Sequence, residues 1–250
     1  MTGTMIPSLY VKSGSERPTK VMLRLTMARQ RLVVRLTGGC GHMSAADSRG
    51  MQRLLVEAFR GFEGALLFGG TRMLDRVTGA VVPGITEAAP PIRLANPDSV
   101  ALGVVPRTGA MAIGPDGLVV TDDPCDSYRT IIHPDQDLCL LVQEGVDSES
   151  SWDAEWQECL RITDDLRTMA GWASLLVAYN GGGVTEREIL AVAAAGWPVL
   201  LLAESGRTAS RLAADRDFLA SHPSVRTAGS DLCSLRRALA GLGVVPEERP

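Results

Sequence analysis

Small residues follow two apolar runs in the second half of the sequence, and their types and spacing are suited to binding anions. Residues 177–207 read VAYNGGGVTEREILAVAAAGWPVLLLAESGR, in which an apolar run, three glycines and a helix-like segment precede a second apolar run. At the carboxyl end of a buried strand, the next helix presents unpaired N–H groups and the positive end of its dipole. A turn without side chains lets an anion approach these groups. Gly181, Gly182 and Gly183 therefore predict an anion-binding turn.

The second apolar run ends in a similar way. Ser205, Gly206 and Arg207 follow it, and the arginine adds a permanent cation. Two such turns on neighbouring strands predict a site for the phosphates of one nucleotide. The pattern is not the dinucleotide fingerprint G-x-G-x-x-G, because Glu186 occupies the place of the third glycine, and no G-K-[ST] follows to make a P-loop. Glycines at such turns also serve packing alone, and this alternative stays open.

Two polar residues of the helix between the two turns are also candidates for the site. Thr185 supplies a hydroxyl at the start of the helix, and Glu188 lies one turn further along the same face. A carboxylate within reach of a ribosyl ring can assist the cleavage of an N-glycosidic bond. The other interpretation of Glu188 is a solvated or helix-capping carboxylate that the helix dipole stabilises.

The elements that must position these residues are indicated by the apolar pattern. Runs such as RLVVRLT, ALLF, VALGVV, DLCLLV, ASLLVAY and WPVLLLA alternate with helix-like segments from residue 31 onward. Continuous apolar runs of this kind are typical of strands that are covered on both faces. We therefore predict an α/β, Rossmann-like fold: one domain with a mainly parallel sheet and helices on both faces. Ser44 and Asp47 predict a capping box at one of these helices.

The domain is expected to span residues 21–245, after a flexible leader over residues 1–20. Two segments interrupt the rhythm of strands and helices, at about 72–99 and 110–135, and both are rich in Pro, Gly and Asp. Connections of this length in a compact domain are usually functional or disordered. We interpret them as long insertions.

Composition excludes several classes of function. The formal net charge is −4 without a long run of one sign, which argues against nucleic acid or an anionic membrane as the main partner. The five cysteines form no C-x-x-C pair and the three histidines show no ligand spacing, so reduced thiols and no zinc site are expected. Residues 189–203 carry no charge but are too few to span a membrane. We expect a cytoplasmic protein without a metal or a cofactor.

Three other groups of residues have two interpretations each. An acidic group, namely Asp122, Asp123, Asp126, Asp135 and Asp137, is a magnesium or calcium site or, more simply, turn chemistry around two prolines. Cys40 is a reactive thiol or a small residue in a tight turn. Trp152 and Trp156 share a helix face with other apolar residues, and a core stripe is favoured over an aromatic binding platform.

A resemblance to a known family covers about residues 31–215. NGGGVTEREILAVAAAGWPVLLLAESGR resembles the segment of the SLOG superfamily that reads G-G-x-G-T, helix, G-x-P-V, apolar strand, G-S-G-R. RLVVRLTGG is similar to the first strand of that family and its T-G-G turn, and ALLFGGT is similar to its I-x-G-G-T segment. VALGVVPRTG is similar to its third strand, and HPDQDLCLLVQEG is similar to its fourth. The pattern is closest to the LSDAT branch, which includes the cytosolic N-terminal region of melastatin-type TRP channels.

The resemblance implies a domain that recognises nucleotides or nucleotide-derived signals such as ADP-ribose. The ligand-binding residues that it implies, together with the turns above, are Gly38, Gly39, Gly69, Gly70, Thr71, Gly181, Gly182, Gly183, Thr185, Ser205, Gly206 and Arg207. Another branch, the LOG or lysine-decarboxylase-like phosphoribohydrolases, carries the motif P-G-G-x-G-T-x-x-E. Thr185 and Glu188 match that motif, whereas Asn180 and Val184 depart from it. Arg72 is a candidate for the arginine that those enzymes carry earlier in the chain.

We therefore expect a non-catalytic domain that senses an ADP-ribose-like ligand or a cyclic nucleotide. The alternative is a phosphoribohydrolase or nucleosidase that cleaves an N-glycosidic bond with Glu188. A third hypothesis is an oligomerisation module in which the two insertions form the interface, so a homo-oligomer stays open.

Overall fold

A computed structural model describes residues 8–13, 18–39, 43–82, 84–107, 112–114, 117–121, 127–143 and 152–247. Its strands are β1 (Ser8–Ser13), β2 (Leu32–Gly39), β3 (Ala65–Phe68), β4 (Thr71–Asp75), β5 (Val81–Val82), β6 (Val100–Pro106), β7 (Ala112–Gly114), β8 (Gly117–Thr121), β9 (Tyr128–Ile132), β10 (Leu138–Gln143), β11 (Ala173–Asn180), β12 (Val199–Leu202) and β13 (Val225–Ala228). Its α-helices are α1 (Thr19–Leu25), α2 (Ala45–Ala58), α3 (Ala89–Ala95), α4 (Trp152–Ala170), α5 (Gly183–Ala194), α6 (Arg207–Ala214), α7 (Arg216–Ser221) and α8 (Leu232–Gly241), and a 3₁₀ helix spans Ile85–Glu87.

Eight of the strands form one parallel sheet in the order β1-β10-β6-β3-β2-β11-β12-β13. Alternate residues of β2 point to opposite faces, as the pleat requires. Val34 and Leu36 pack with α2, α3 and α8, whereas Val33 packs with α1 and α4. Helices α5, α6 and α7 cover the second face further along the sheet. The predicted parallel α/β fold with helices on both faces is therefore confirmed.

Local signals in the sequence place the helix ends. Ser44 and Asp47 form the predicted capping box at the start of α2. Helix α4 has acidic residues in its first turn and Arg167 in its last, which complements the helix dipole. Gly171 follows with φ +67°, a left-handed conformation that commonly ends helices.

Part of the expected leader belongs to the sheet. Residues 8–13 were expected in a flexible leader, but they form β1, which pairs with β10 along its whole length. The expectation of flexibility is therefore wrong for these residues, because their backbone groups join the ladder of the parallel sheet. The boundary at residue 245 stays a prediction.

The two insertions come together in a second sheet. This sheet is antiparallel and has the order β5-β4-β9-β8-β7, so strands from residues 72–99 and 110–135 lie side by side. The described strands of the two segments thus belong to one substructure. That they form an interface between copies stays a prediction.

The carboxyl ends of three central strands meet at one edge of the parallel sheet. In the β11–β2 pairing, Tyr179 lies opposite Gly38 and Asn180 lies opposite Gly39. Strand β12 neighbours β11 on its other side. The turns after β2, β11 and β12 are therefore adjacent, as the sequence predicts. Within the described ranges, no helix has the length and apolar character needed to cross a membrane.

Candidate functional site

The glycine turn, residues 181–183, joins β11 to α5. Gly181 has φ +88°, and a β-carbon on it would lie 2.5 Å from the Cγ2 atom of Thr185. A side chain is thus excluded at Gly181 both by conformation and by space. Gly182 is the N-cap of α5, and no side chain caps that helix, in contrast to α2, α7 and α8. The start of α5 is therefore suited to accept an anion.

The second turn, residues 205–207, contacts the glycine turn directly. Gly206 has φ +99° and is the N-cap of α6, again without a side-chain cap. The Thr208 hydroxyl donates to the Gly182 carbonyl at 3.4 Å. The Arg207 guanidinium lies beside Gly182: a β-carbon there would be 3.0 Å from Nη2. Arg207 is exposed and makes no hydrogen bond or ion pair with any residue that the structure describes.

Backbone strain is concentrated at these two turns. Among the described residues other than glycine, positive φ angles occur at Asn180 (+57°), Glu204 (+61°) and Arg207 (+43°). Such conformations cost on the order of 1 kcal/mol or more each and cluster at functional sites. The Asn180 backbone N–H donates to the Ser205 hydroxyl at 2.9 Å, and its side-chain amide donates to the Gly39 carbonyl at 2.8 Å. Asn180 thus ties three strand ends together.

A cavity of about 180 Å³ opens beside the start of α5. It is lined by Arg35, Leu36, Thr37, Gly38, Gly69, Ile85, Thr86, Trp152, Glu155, Val184, Thr185 and Glu188. Sites that enclose a whole drug-sized ligand have about 300–1,000 Å³. This cavity therefore has room for one part of a nucleotide rather than for all of it.

A buried ion-pair cluster forms the floor of the cavity. Arg35, on β2, donates from Nε to Glu188 Oε1 at 2.8 Å, and its Nη1 lies 2.8 Å from Glu155 Oε1. Its Nη2 donates to Glu155 Oε2 at 3.1 Å. The Thr37 hydroxyl donates to the second oxygen of Glu188. All three charged side chains are at least nine-tenths buried.

Burial controls protonation in this cluster. Burial raises the pKa of Glu155 to about 7; Arg35 opposes this shift, and the neighbouring Glu188 reinforces it. Burial lowers the pKa of Arg35, but the nearby carboxylates of Glu155 and Glu188 outweigh this effect and raise it well above its ordinary value. Burial also raises the pKa of Cys159 well above its usual range, so the thiol is protonated and donates to Glu155 at 3.5 Å. Cys159 is thus no thiolate nucleophile.

Glu188 is neither solvated nor a helix cap. It is fully buried, and both its oxygens accept hydrogen bonds from β2. That interpretation is therefore wrong, because a helix that covers the sheet turns this position inward. Arg35 and Glu155 were not predicted as site residues from the sequence. A signal for Arg35 was present, since an arginine inside the buried run RLVVRLT requires a buried partner.

The other expected ligand residues divide into two groups. Gly38 and Gly69 line the cavity together with Thr185. The remaining ones have internal contacts: a β-carbon on Gly70 would lie 2.5 Å from Gly103 Cα, Thr71 begins β4 and is buried, and the Ser205 hydroxyl donates to the Leu202 carbonyl.

Arg72 is held away from the cavity by its own partners. It donates to Glu87 from Nε at 3.1 Å and from Nη2 at 3.0 Å, and Asp135 lies 3.5 Å from the same Nη2. His133 lies 3.2 Å from Glu87 Oε2. Arg72 thus links β4, which follows Gly70, to the 3₁₀ helix that carries Thr86. Its guanidinium is engaged in this conformation, and the suggestion that it binds ligand stays a prediction.

Trp152 also departs from its expected place. It is 44% exposed and lines the cavity, so it is not part of a core stripe, whereas Trp156 is partly buried. As the first residue of α4, Trp152 lies at the helix end, where the sheet no longer covers it. Of the acidic group, Asp122, Asp123 and Asp126 lie outside the described residues, as does Cys40. No metal-binding cluster occurs among the residues that the structure describes.

Comparison with known proteins identifies the family. The sequence profile of the family described as SLOG in TRPM, prokaryote, matches residues 104–236, more than half of the chain. The chain belongs to this SLOG family. No curated protein matches the chain in sequence.

Several solved structures are similar to this chain at low sequence identity. The molybdenum cofactor binding protein of Rippkaea orientalis aligns with a TM-score of 0.50 and 16% identity over 86% of this chain and 96% of its own. The molybdenum cofactor carrier protein of Chlamydomonas reinhardtii has a TM-score of 0.49 and 17% identity, covering 86% and 98%. The protein TM1055 has a TM-score of 0.49 and 16% identity, covering 84% and 98%. At such identities, the likeness to the Rippkaea protein shows the fold alone.

Proposed function

We propose that this SLOG domain binds a nucleotide-derived ligand, ADP-ribose-like or a cyclic nucleotide, and does not turn it over. Its phosphate occupies the start of α5 between the glycine turn and Arg207. The observation that carries the proposal is the Arg207 guanidinium, which lies beside Gly182 without an ion-pair partner among the described residues. A cation and an uncapped helix start that converge on one space are a phosphate-binding arrangement.

The state of Glu188 supports binding without catalysis. A carboxylate that acts on a ribosyl ring needs an oxygen free to contact it. Both oxygens of Glu188 are occupied by Arg35 and Thr37. In addition, Val184 stands where the hydrolase motif has glycine, and its side chain lines the cavity. Ribose is thereby kept away from the helix start, and about 1 Å of displacement can cost about a hundredfold in rate.

A matched pair of arginines on α6 tests the binding site. Arg207→Ala should weaken binding of ADP-ribose or AMP by about 1–3 kcal/mol in calorimetric titrations. Arg211 is the control, because it lies one turn further along α6 and pairs at the surface with Glu186 at 2.7 Å. Arg211→Ala should change the affinity little. Equal effects of the two substitutions would show that the phosphate is bound elsewhere.

The choice of ligand is tested by thermal shift with ADP-ribose, cyclic ADP-ribose isomers, AMP and cyclic dinucleotides. A ligand at about 100 times its dissociation constant stabilises the folded state by about 2.7 kcal/mol. For a chain of this size, that is a melting shift of several degrees. Absence of any shift across the panel would contradict the proposal.

One observation favours a second function, N-glycosidic hydrolysis. Glu155 lines the cavity beside Glu188, and burial raises its pKa to about 7, so a fraction of the molecules carry a proton there at neutral pH. Because both Glu155 oxygens lie against Arg35, transfer of this proton to a departing base requires that pairing to open. The test is chromatography of nucleoside monophosphates and ADP-ribose after incubation with the protein. Free base that appears with the wild type and not with Glu155→Gln would establish the hydrolase and overturn the non-catalytic proposal.

A further inference from the structure

The charges around the cavity do not balance. Arg35 is the only cation among the described residues that line it, and it faces two carboxylates, Glu155 and Glu188. Burial raises the pKa of Glu155 to about 7; above that pH both carboxylates are ionised, and the cluster carries one net negative charge in a buried setting. An uncompensated buried charge is costly, and it favours a positive partner.

An aromatic face borders the same space. Trp152 and Glu155 are three residues apart on α4 and therefore lie on one face of the helix. A β-carbon on Gly69 would lie 3.8 Å from Trp152 Cζ3 and 3.7 Å from Glu155 Oε1. Such a β-carbon would be in ordinary van der Waals contact with both groups, so the glycine leaves the corner between the indole ring and the carboxylate to the cavity, which Gly69, Trp152 and Glu155 all line. Trp152 keeps 44% of its surface exposed there.

We propose that this corner accepts a planar, positively charged ring, so that the preferred ligands are nucleotides with a cationic base, of the pyridinium class. This inference rests on the proposed function, since the phosphate of the same ligand is held beside Arg207. Tryptophan is the best aromatic partner for a cation. The negative charge of Glu155 attracts a cationic ring, whereas a neutral base cannot compensate that charge.

A pair of probes that differ in ring charge tests the inference. Nicotinamide mononucleotide has a cationic ring, whereas its reduced form has the same phosphate, ribose and carboxamide on a neutral ring. We expect the oxidised form to bind about tenfold more tightly in calorimetric titrations.

Two variants test whether the preference for the oxidised form arises at Trp152 and Glu155. Trp152→Leu and Glu155→Gln should each reduce the affinity for the oxidised form towards that for the reduced form, with little change for the reduced form. Trp156→Leu is the control, because Trp156 lies on the same helix and does not line the cavity. Melting curves of each variant establish that it is folded.

The outcomes separate this inference from the proposed function. Equal affinity for the two forms, or tighter binding of the reduced form, would overturn the inference while phosphate binding at Arg207 stands. If neither form binds but AMP binds in an Arg207-dependent manner, the inference again fails alone. If no nucleotide binds at all, both fail.

Discussion

The Arg207 guanidinium packs against Gly182, so that a β-carbon on the glycine would lie 3.0 Å from its Nη2. Gly182→Asp would therefore place a carboxylate beside Arg207 and at the start of α5. We expect the fold to persist, because Gly182 has φ −124°, which any residue can adopt, and Asp is a favoured N-cap. Nucleotide affinity should fall more than about tenfold, because the carboxylate occupies the place of the phosphate.

Gly182→Ala is the control for this substitution. It adds the β-carbon without the charge, and the end of a flexible arginine side chain can move to admit it. Calorimetric titrations should show a much smaller loss than for Gly182→Asp. Wild-type affinity in the Asp variant would show that phosphate does not bind at this turn.

Removal of Glu188 should destabilise the fold. Glu188→Ala leaves Arg35 and Thr37 without one of their buried partners, and loss of one member of a buried ion pair costs about 3 kcal/mol. Glu186→Ala, on the same helix, breaks only the surface pair with Arg211 and should cost less than about 1 kcal/mol. Denaturant titrations measure both free energies of unfolding. Similar values would mean that the cluster contributes little to stability.

Glu155 should make stability depend on pH. Its pKa is about 7 in the folded protein against an ordinary value of 4.5, so between these values the folded state retains a proton that the unfolded state has lost. The free energy of unfolding should therefore fall as pH rises from about 4.5 to 7 and level off above, with a contribution on the order of 3 kcal/mol.

The Glu155→Gln variant isolates this contribution, since the other carboxylates remain. Subtracting its pH profile from that of the wild type should leave a descending curve over the same interval. A flat difference would show that Glu155 does not take up the proton.

Arg72 should support the site without touching the ligand. Arg72→Ala removes a partner of the buried Glu87 and should cost about 2 kcal/mol of stability. Because Gly69 and Thr86 lie beside the linked segments, ligand affinity should fall only modestly. Thermal melts and calorimetric titrations check both effects. A large loss of affinity at unchanged stability would restore Arg72 as a ligand-binding residue.

The parallel sheet was predictable because each buried strand is a continuous apolar run that ends in a turn. The contact between Gly182 and Arg207 followed from that pattern, since consecutive strands β11 and β12 are neighbours in the sheet. The hydrogen-bond partners of Glu188 could not be predicted from that pattern. Arg35 is 153 residues away in the chain, and a helical period gives the face of a side chain but not its distant partner.

The strand pairing of the two insertions could not be predicted from the sequence either. Their proline and glycine content predicted turns, yet Thr71 pairs with Ile132 across the antiparallel sheet, and local composition does not determine such a register. Trp152 shows a different limit. Its spacing fits an apolar stripe, but the buried residues of α4 begin only after Trp152, which is the first residue of the helix.

The hydrogen bonds of Asn180 affect how the carboxyl-end edge of the sheet can move. The Asn180 backbone N–H donates to the Ser205 hydroxyl, and its side chain donates to the Gly39 carbonyl. This one residue therefore joins the ends of β2 and β11 to the turn after β12. We therefore expect these segments to unfold locally as one unit, so that their amide protons exchange at similar rates in hydrogen-exchange measurements. Loss of the side-chain contact alone would release the end of β2, whereas loss of both contacts would also release the turn after β12.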